Sequence, residues 1–409
     1  MRSALAGLCA AVFLSASGCG GGHSGSSPSS AGSGGSTPPA TANVVGVVVN
    51  AGPTSTSPDV NTLFTTVTVC LPGSTTNCQT IDNIQVDTQS FGLRILAPAL
   101  TLALPVQAAA LGGSLAECTA FVDGYSWGPV ALADVKISGE SASSVPVQVI
   151  GDPNFSNVPA DCSSQAPTEE DTVAAFGANG ILGIGVFDQD CGPQCVTTVD
   201  NGFYYACTST QCQATAVPLA NQVTNPVSLF ATDNNGSIID LPTVAAQGAT
   251  TLTGSLIFGI DTQSNNASGS ETVLTVDPQF GYLTAIFNGQ SLAMSFIDSG
   301  SNGIYFTDTG IVQCTDPNYT QFYCPAGTLN LTVTLQGANG VAGEIGFSVD
   351  NAQTLGTNNP TFLVLPTLAG TYPVSGSFDY GLPFYYGRRV ATALENSTTS
   401  VGAGPYVAY

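Results

Sequence analysis

"SFIDSGSNGIYF", residues 295–306, sets a carboxylate on a tight Ser-Gly-Ser turn between two apolar runs. The same design occurs once more. Residues 86–95 read "VDTQSFGLRI" and residues 297–306 read "IDSGSNGIYF". They align without gaps: an apolar residue, Asp, Thr or Ser, a variable position, Ser, another variable position, Gly, then mostly apolar residues. The stretches before them match too. "VTVCLPGSTTNCQTIDNIQVDT" and "YLTAIFNGQSLAMSFIDS" each read as strand, turn, strand, Asp-turn. Asn288-Gly289 favours a tight hairpin, because both residues tolerate positive φ. Asp87 and Asp298 stand 211 positions apart (298 less 87), about half the chain. An internal duplication with one Asp-turn in each half is the reading that follows.

Composition narrows the chemistry. The 409 residues carry 5 Lys and Arg against 27 Asp and Glu, a formal net charge of −22, so nothing neutralises nucleic-acid phosphates. The one His, His23, lies in a Gly/Ser tract, which excludes Ser-His and Cys-His catalysis in a folded domain. Lys136 is the one Lys. An enzyme built on this chain must therefore do its acid and base work with carboxylates. No cofactor and no metal ligand set is expected.

The N-terminus reads as an export signal. Residues 1–18 contain Arg2, the apolar stretch "LAGLCAAVFL" and then "SASG" before Cys19. Small residues before a Cys are the pattern of a bacterial lipoprotein processing site, although Ala16 stands where Leu is usual. Cys19 is then the lipidated N-terminus, and an ordinary secretory signal is the alternative. Residues 19–42, rich in Gly and Ser, read as a tether from a membrane. Gly20 after the Cys, where Asp would favour the inner membrane, points to the outer membrane.

Ten further cysteines, Cys70, Cys78, Cys118, Cys162, Cys191, Cys195, Cys207, Cys212, Cys314 and Cys324, favour disulfides in an exported chain. Cys70–Cys78 and Cys314–Cys324 are spaced to close short loops. The four between 191 and 212 are open to nested or sequential pairing, with zinc as the less favoured use. Stretches such as "LFTTVTVCLPG", "VPVQVI", "GSLIFGI" and "LNLTVTLQG" are rich in β-branched residues and end in turn residues. The class expected is all-β.

The duplicated Asp-turns resemble those of the pepsin-like aspartic peptidases, in which each of two β lobes gives an Asp-Thr/Ser-Gly-Thr/Ser turn. Further segments resemble that family in order. "FVDGYSWGPVALADV", residues 121–135, is similar to the flap hairpin, with Phe121, Gly124, Tyr125 and Trp127 as its candidate residues. "NGILGIGVF" at 179–187 is similar to the segment behind the first turn. "GSLIFGID" at 254–261 and "FDYGLPFYYGRRVATALEN" at 378–396 are similar to later strands. The whole pattern, lipoprotein signal included, is also similar to a group of uncharacterised bacterial lipoproteins.

The resemblance implies a bilobal fold with a central cleft, with lobes at 43–235 and 236–409. It implies Asp87 and Asp298 as the catalytic pair, supported by Thr88, Ser90, Ser299, Gly300 and Ser301. Two carboxylates a few ångströms apart cannot both ionise, so one holds a proton while the other activates water. The departures are Gln89 in place of Gly in the first turn, expected to distort it, and Phe121 where a Tyr hydroxyl is usual. The functions expected are an aspartic endopeptidase or, because of Gln89, a non-catalytic relative that binds a peptide or glycan or stiffens the envelope. A two-carboxylate glycosidase is a third option. The partners expected are a peptide or protein in the cleft and a membrane through the lipid anchor, with the chain a monomer. Arg94 is expected to meet a cleft carboxylate or solvent, and Arg388 and Arg389 surface Asp residues. Trp127 is expected in the core or over the cleft.

Overall fold

A computed structural model describes residues 42–53, 59–199 and 202–409. The expected signal peptide and Cys19 lie outside these residues. Regular structure is almost all strand, and the longest described helix, Ala352–Asn358, has 7 residues. The strands form where β-branched residues alternate. In Leu63–Cys70, Val67 and Val69 are buried while Thr66 and Thr68, on the opposite face, are exposed and half-buried, the period-2 pattern of a half-buried sheet.

The duplication is visible in the topology. In the first half, Cys78–Asp87 ends at its turn and Phe91–Leu96 leads away. Gly180–Ile184 runs between them, parallel to the first (Asp87 opposite Gly183) and antiparallel to the second (Gly92 opposite Gly183). In the second half, Gln290–Ile297 and Ile304–Phe306 flank Phe378–Tyr380 in the same way. Tyr380 lies opposite Ile297 in parallel and opposite Ile304 in antiparallel. Glycine permits both close passages. A Cβ on Gly183 would lie 2.5 Å from the Phe91 nitrogen, and one on Gly381 would lie 2.0 Å from the Gly303 oxygen. Asn288 and Gly289, at φ 50° and 76°, form the two-residue turn joining Leu283–Phe287 to Gln290–Ile297.

A 15-stranded sheet carries the first half and continues into a layer shared by both. There Val44–Val49 pairs with Leu252–Phe258, which also pairs with Gly236–Asp240. Arg389–Ala393 and Tyr406–Ala408 extend it. A 7-stranded sheet carries the second half. One apolar core runs through both, from Val67, Ile84 and Leu93 to Phe306, Phe378 and Leu382.

Five disulfides staple the described residues: Cys70–Cys78, Cys118–Cys162, Cys191–Cys195, Cys207–Cys212 and Cys314–Cys324. The pairing between 191 and 212 is sequential. All ten cysteines pair, so none is left for zinc.

Candidate active site

The two Asp-turns meet where the halves join. Asp87 is the last residue of its strand, and Asp298 directly follows Ile297, its N–H donating to the Tyr380 carbonyl at 3.0 Å. Both aspartates are 0% exposed. The backbone N–H two residues on caps each carboxylate: Gln89 to Asp87 Oδ1 at 2.7 Å, and Gly300 to Asp298 Oδ1 at 2.8 Å. The expected distortion at Gln89 is absent. Neither Gln89 nor Gly300 is among the positive-φ residues, so the backbone here does not require glycine. The Gln89 side chain reaches across instead, and its amide donates to the Ile297 carbonyl at 3.3 Å.

The hydroxyl residue of each turn locks the other half. Thr88 Oγ1 donates to the Ile297 carbonyl at 3.1 Å and accepts from the Ser299 N–H at 3.0 Å. Ser299 Oγ donates to the Val86 carbonyl at 2.8 Å. With the Thr88 proton so used, the contact with Tyr385 at 2.8 Å has the phenol donating to Thr88. Gln85 Nε2 adds a bond to the Gly300 carbonyl at 3.0 Å. These buried bonds bring the two carboxyls together, and their side chains hydrogen-bond one another.

Burial, then the neighbouring Asp87 and Asp379 and the bond to Asp87, push Asp298 well above the usual carboxylate range. Asp379 is pushed up as well, by burial first and by Asp87 among its neighbours. Its link to the pair runs through Ser301, whose Oγ lies 2.9 Å from Asp298 Oδ2 and 2.6 Å from Asp379 Oδ2. A hydroxyl has one proton for two acceptors, so one contact needs a proton from a carboxyl. Protonated Asp379 donating to Ser301, which donates to Asp298, satisfies the count.

The remaining sequence candidates are placed as follows. Ser90 Oγ is buried without a hydrogen-bond partner, beside a small cavity lined by Arg94, Thr119 and Asp190. Phe121 and Gly124 close the turn between Ser114–Ala120 and Tyr125–Ile137, with the Phe121 N–H on the Gly124 carbonyl at 2.7 Å. Tyr125 and Trp127 lie on the strand after the turn. Trp127 is a core residue: it is edge-on to Tyr205, and its indole donates to the Phe155 carbonyl at 2.6 Å. Arg94 meets neither the cleft nor solvent. It is 1% exposed, with Nη2 at 2.6 Å from Glu117 and 3.1 Å from Asp190. Arg389 meets Asp240 at 3.4 Å, whereas Arg388 lies over the Phe384 ring. Asp379 and Tyr385 escaped the sequence reading, although both lie in the closing segment. The one signal was a lone Asp between two aromatic residues of a strand.

A family described as "Protein of unknown function (DUF3443)" matches residues 39–409. The chain belongs to this family. No curated protein matches it. Among solved structures it is similar to an aspartic proteinase from Irpex lacteus, at 15% identity and a TM-score of 0.51. The match covers 89% of this chain and 96% of that one. At this identity the likeness establishes the fold: all-β, bilobal and pepsin-like.

Proposed function

We propose that this protein is an exported aspartic endopeptidase whose Asp87 and Asp298 act as one acid–base pair. The observation that carries the reading is the hydrogen bond between the two buried carboxyls, each capped by an N–H at nearly equal distance. Such a pair titrates as a unit and holds one proton over a range of acid pH. The ionised carboxylate takes a proton from water as the water oxygen attacks the peptide carbonyl. The protonated carboxyl gives its proton to the carbonyl oxygen. Collapse of the tetrahedral intermediate returns a proton to the amide nitrogen and breaks the C–N bond. Five disulfides support an oxidising compartment, and the small-residue site at Cys19 supports a lipid anchor.

The test is cleavage of denatured casein by the full chain between about pH 3 and pH 7, the range over which such a dyad shares a proton. Cleavage by the parent that vanishes in Asp298→Asn is the expected result. No cleavage at any pH overturns it. Labelled fatty acid incorporated by the parent and not by Cys19→Ser checks the anchor.

One observation favours a second reading, a non-catalytic envelope protein that binds in its cleft. Both carboxylates are 0% exposed, so a substrate reaches them only when the surroundings open.

A further inference from the structure

The stretch "APALTLALPVQAAALGG", residues 97–113, follows the strand that leaves the first Asp-turn. It carries no charged residue, in a chain of formal net charge −22. Much of it runs extended over the outside of the sheet, with Val106 opposite Ala131 and Ala108 opposite Ser114. Alternate side chains turn inward and outward, as extended backbone requires. Gln107 and Ala109 are buried, whereas Val106 is 41% exposed, Leu111 is 68% exposed, and Ala108 and Ala110 are exposed as well. The outward side is therefore apolar where water would ordinarily select polar residues. It continues onto a neighbouring segment. Gln107 Nε2 donates to the Asn221 carbonyl at 2.8 Å, which sets Leu219, also exposed, alongside.

The polar groups of the stretch are turned onto the protein. Its two polar side chains are Thr101 and Gln107. Thr101 Oγ1 donates to Gln79 Oε1 at 2.9 Å, and Gln107 is bonded to Asn221. Of the backbone, the Thr101 and Leu102 N–H groups donate to Gln79 Oε1 at 2.8 and 3.2 Å. The Gln107 N–H donates to the Val130 carbonyl at 2.8 Å, and the Ala109 N–H to the Gly113 carbonyl at 3.1 Å. The Pro105 and Gln107 carbonyls accept from Leu132 and Leu115 at 2.9 and 2.8 Å. Pro98 and Pro105 bring no N–H at all. A protein partner is recognised through about one hydrogen bond per 100–200 Å² of contact, and this face offers few groups for that. Hydrocarbon makes the opposite demand, that backbone polar groups be satisfied internally.

The face also lies within reach of the membrane that the N-terminus implies. The Ala42 carbonyl accepts from the Gly139 N–H at 2.7 Å, at the turn that follows the strand Tyr125–Ile137. Val106 lies opposite Ala131 of that strand. Eight positions separate Ala131 from Gly139 (139 less 131), or about 25 Å along a strand. Cys19 precedes Ala42 by 23 positions (42 less 19), a length of chain that spans up to about 75 Å.

We propose that the outward side of residues 98–111, together with Leu219, is a lipid-contact face on which the protein rests against a bilayer. It rests on the lipid-anchor reading for the nearness of that bilayer and is independent of the peptidase reading. Val106 and Leu111 enter the boundary between headgroups and acyl chains, the depth at which apolar side chains of surface-bound proteins sit. An anionic membrane repels an acidic chain, so zwitterionic phospholipid is the surface that an uncharged face fits.

The test places a tryptophan on the face and another away from it. The full chain carrying Leu111→Trp, or Val312→Trp in the second half, where Val312 is 65% exposed, is reconstituted in phosphatidylcholine vesicles with brominated acyl chains. Emission of the parent, which comes from Trp127, is subtracted, and circular dichroism checks that each variant is folded. The tryptophan at 111 is expected to shift to the blue and to be quenched severalfold more than the one at 312. Equal quenching at both positions, or none at 111, overturns the face. A blue shift at 111 without quenching, accompanied by cross-linked dimers, overturns it too, because a second copy then covers these residues. Should the parent incorporate no labelled fatty acid, the anchor reading fails by itself. The same two variants added to preformed vesicles then judge the face by the same contrast.

Discussion

The two Asp-turns have the same backbone and different backing. Seven residues after Asp87 stands Arg94, and seven after Asp298 stands Tyr305. Arg94 anchors a buried charged layer. Its Nε donates to Thr119 at 3.0 Å and its Nη1 to the Phe91 carbonyl at 2.8 Å, while Tyr204 joins it by donating to Asp190 at 2.7 Å. The second turn rests on rings: Phe306 stacks on Phe378 at 4.9 Å, and Phe378 on Tyr380 at 4.5 Å. The turn's shape is therefore held by its own capping N–H and by the crossed hydroxyl lock between the two turns, whatever lies behind it. The layer behind sets tolerance to change. A buried ion cluster is stable only when complete, whereas an aromatic stack gives up a contact at a time.

The comparison is most exposed to Arg94→Met, which leaves Glu117 and Asp190 buried without their cation. Urea unfolding is expected to show a loss of about 3–5 kcal/mol, against roughly 1 kcal/mol for Tyr305→Phe, which removes one hydroxyl. Equal losses would break the contrast between the two backings.

A carboxyl pair remote from both turns serves as reference. Glu140 bonds Asp233 and is pushed to about 7 by burial first and then by that neighbour. Between about 4.5 and 7 the folded chain holds a proton that the unfolded chain releases, so stability falls as pH rises through that window. Glu140→Gln should flatten this fall, on the order of 2–3 kcal/mol across the window. Thermal unfolding as a function of pH reads it, and an unchanged slope would remove Glu140 as its source.

Ser301→Ala, which cuts the link between Asp298 and Asp379, should cost about 2 kcal/mol and lower cleavage. Ser90→Ala at the matching position removes an unpartnered hydroxyl and should stay within about 0.5 kcal/mol. A large cost at Ser90 would sharpen the comparison by revealing a partner there. Smallest of all, Gln89→Gly should change stability by less than about 1 kcal/mol and preserve the turn, since the capping bond comes from the backbone.

The parts legible in the sequence were those written in neighbouring residues. The two Asp-turns, the hairpin at Asn288-Gly289 and the short disulfide loops are all local patterns. The tolerance of the first turn for Gln89 is not legible in the sequence, because whether a turn position needs glycine depends on a φ that the residue type does not show. Arg94 was misplaced because its carboxylate partners lie 23 and 96 residues away. The residue type of Trp127 suits a core or a cleft-covering role alike, and packing against Tyr205 decides between them. Cys118–Cys162, spanning 44 residues, had no local signal.

Residue order alone specifies a doubled β chain bearing one acid on a turn in each half, with no histidine available to a folded site. The packed fold was needed to show that Asp379 joins the pair through Ser301 and that a guanidinium is sealed behind the first turn. The reason is physical. Turns and strand alternation arise from interactions within a few residues, whereas the charge state and partners of a buried group depend on what the fold brings within a few ångströms from distant parts of the chain.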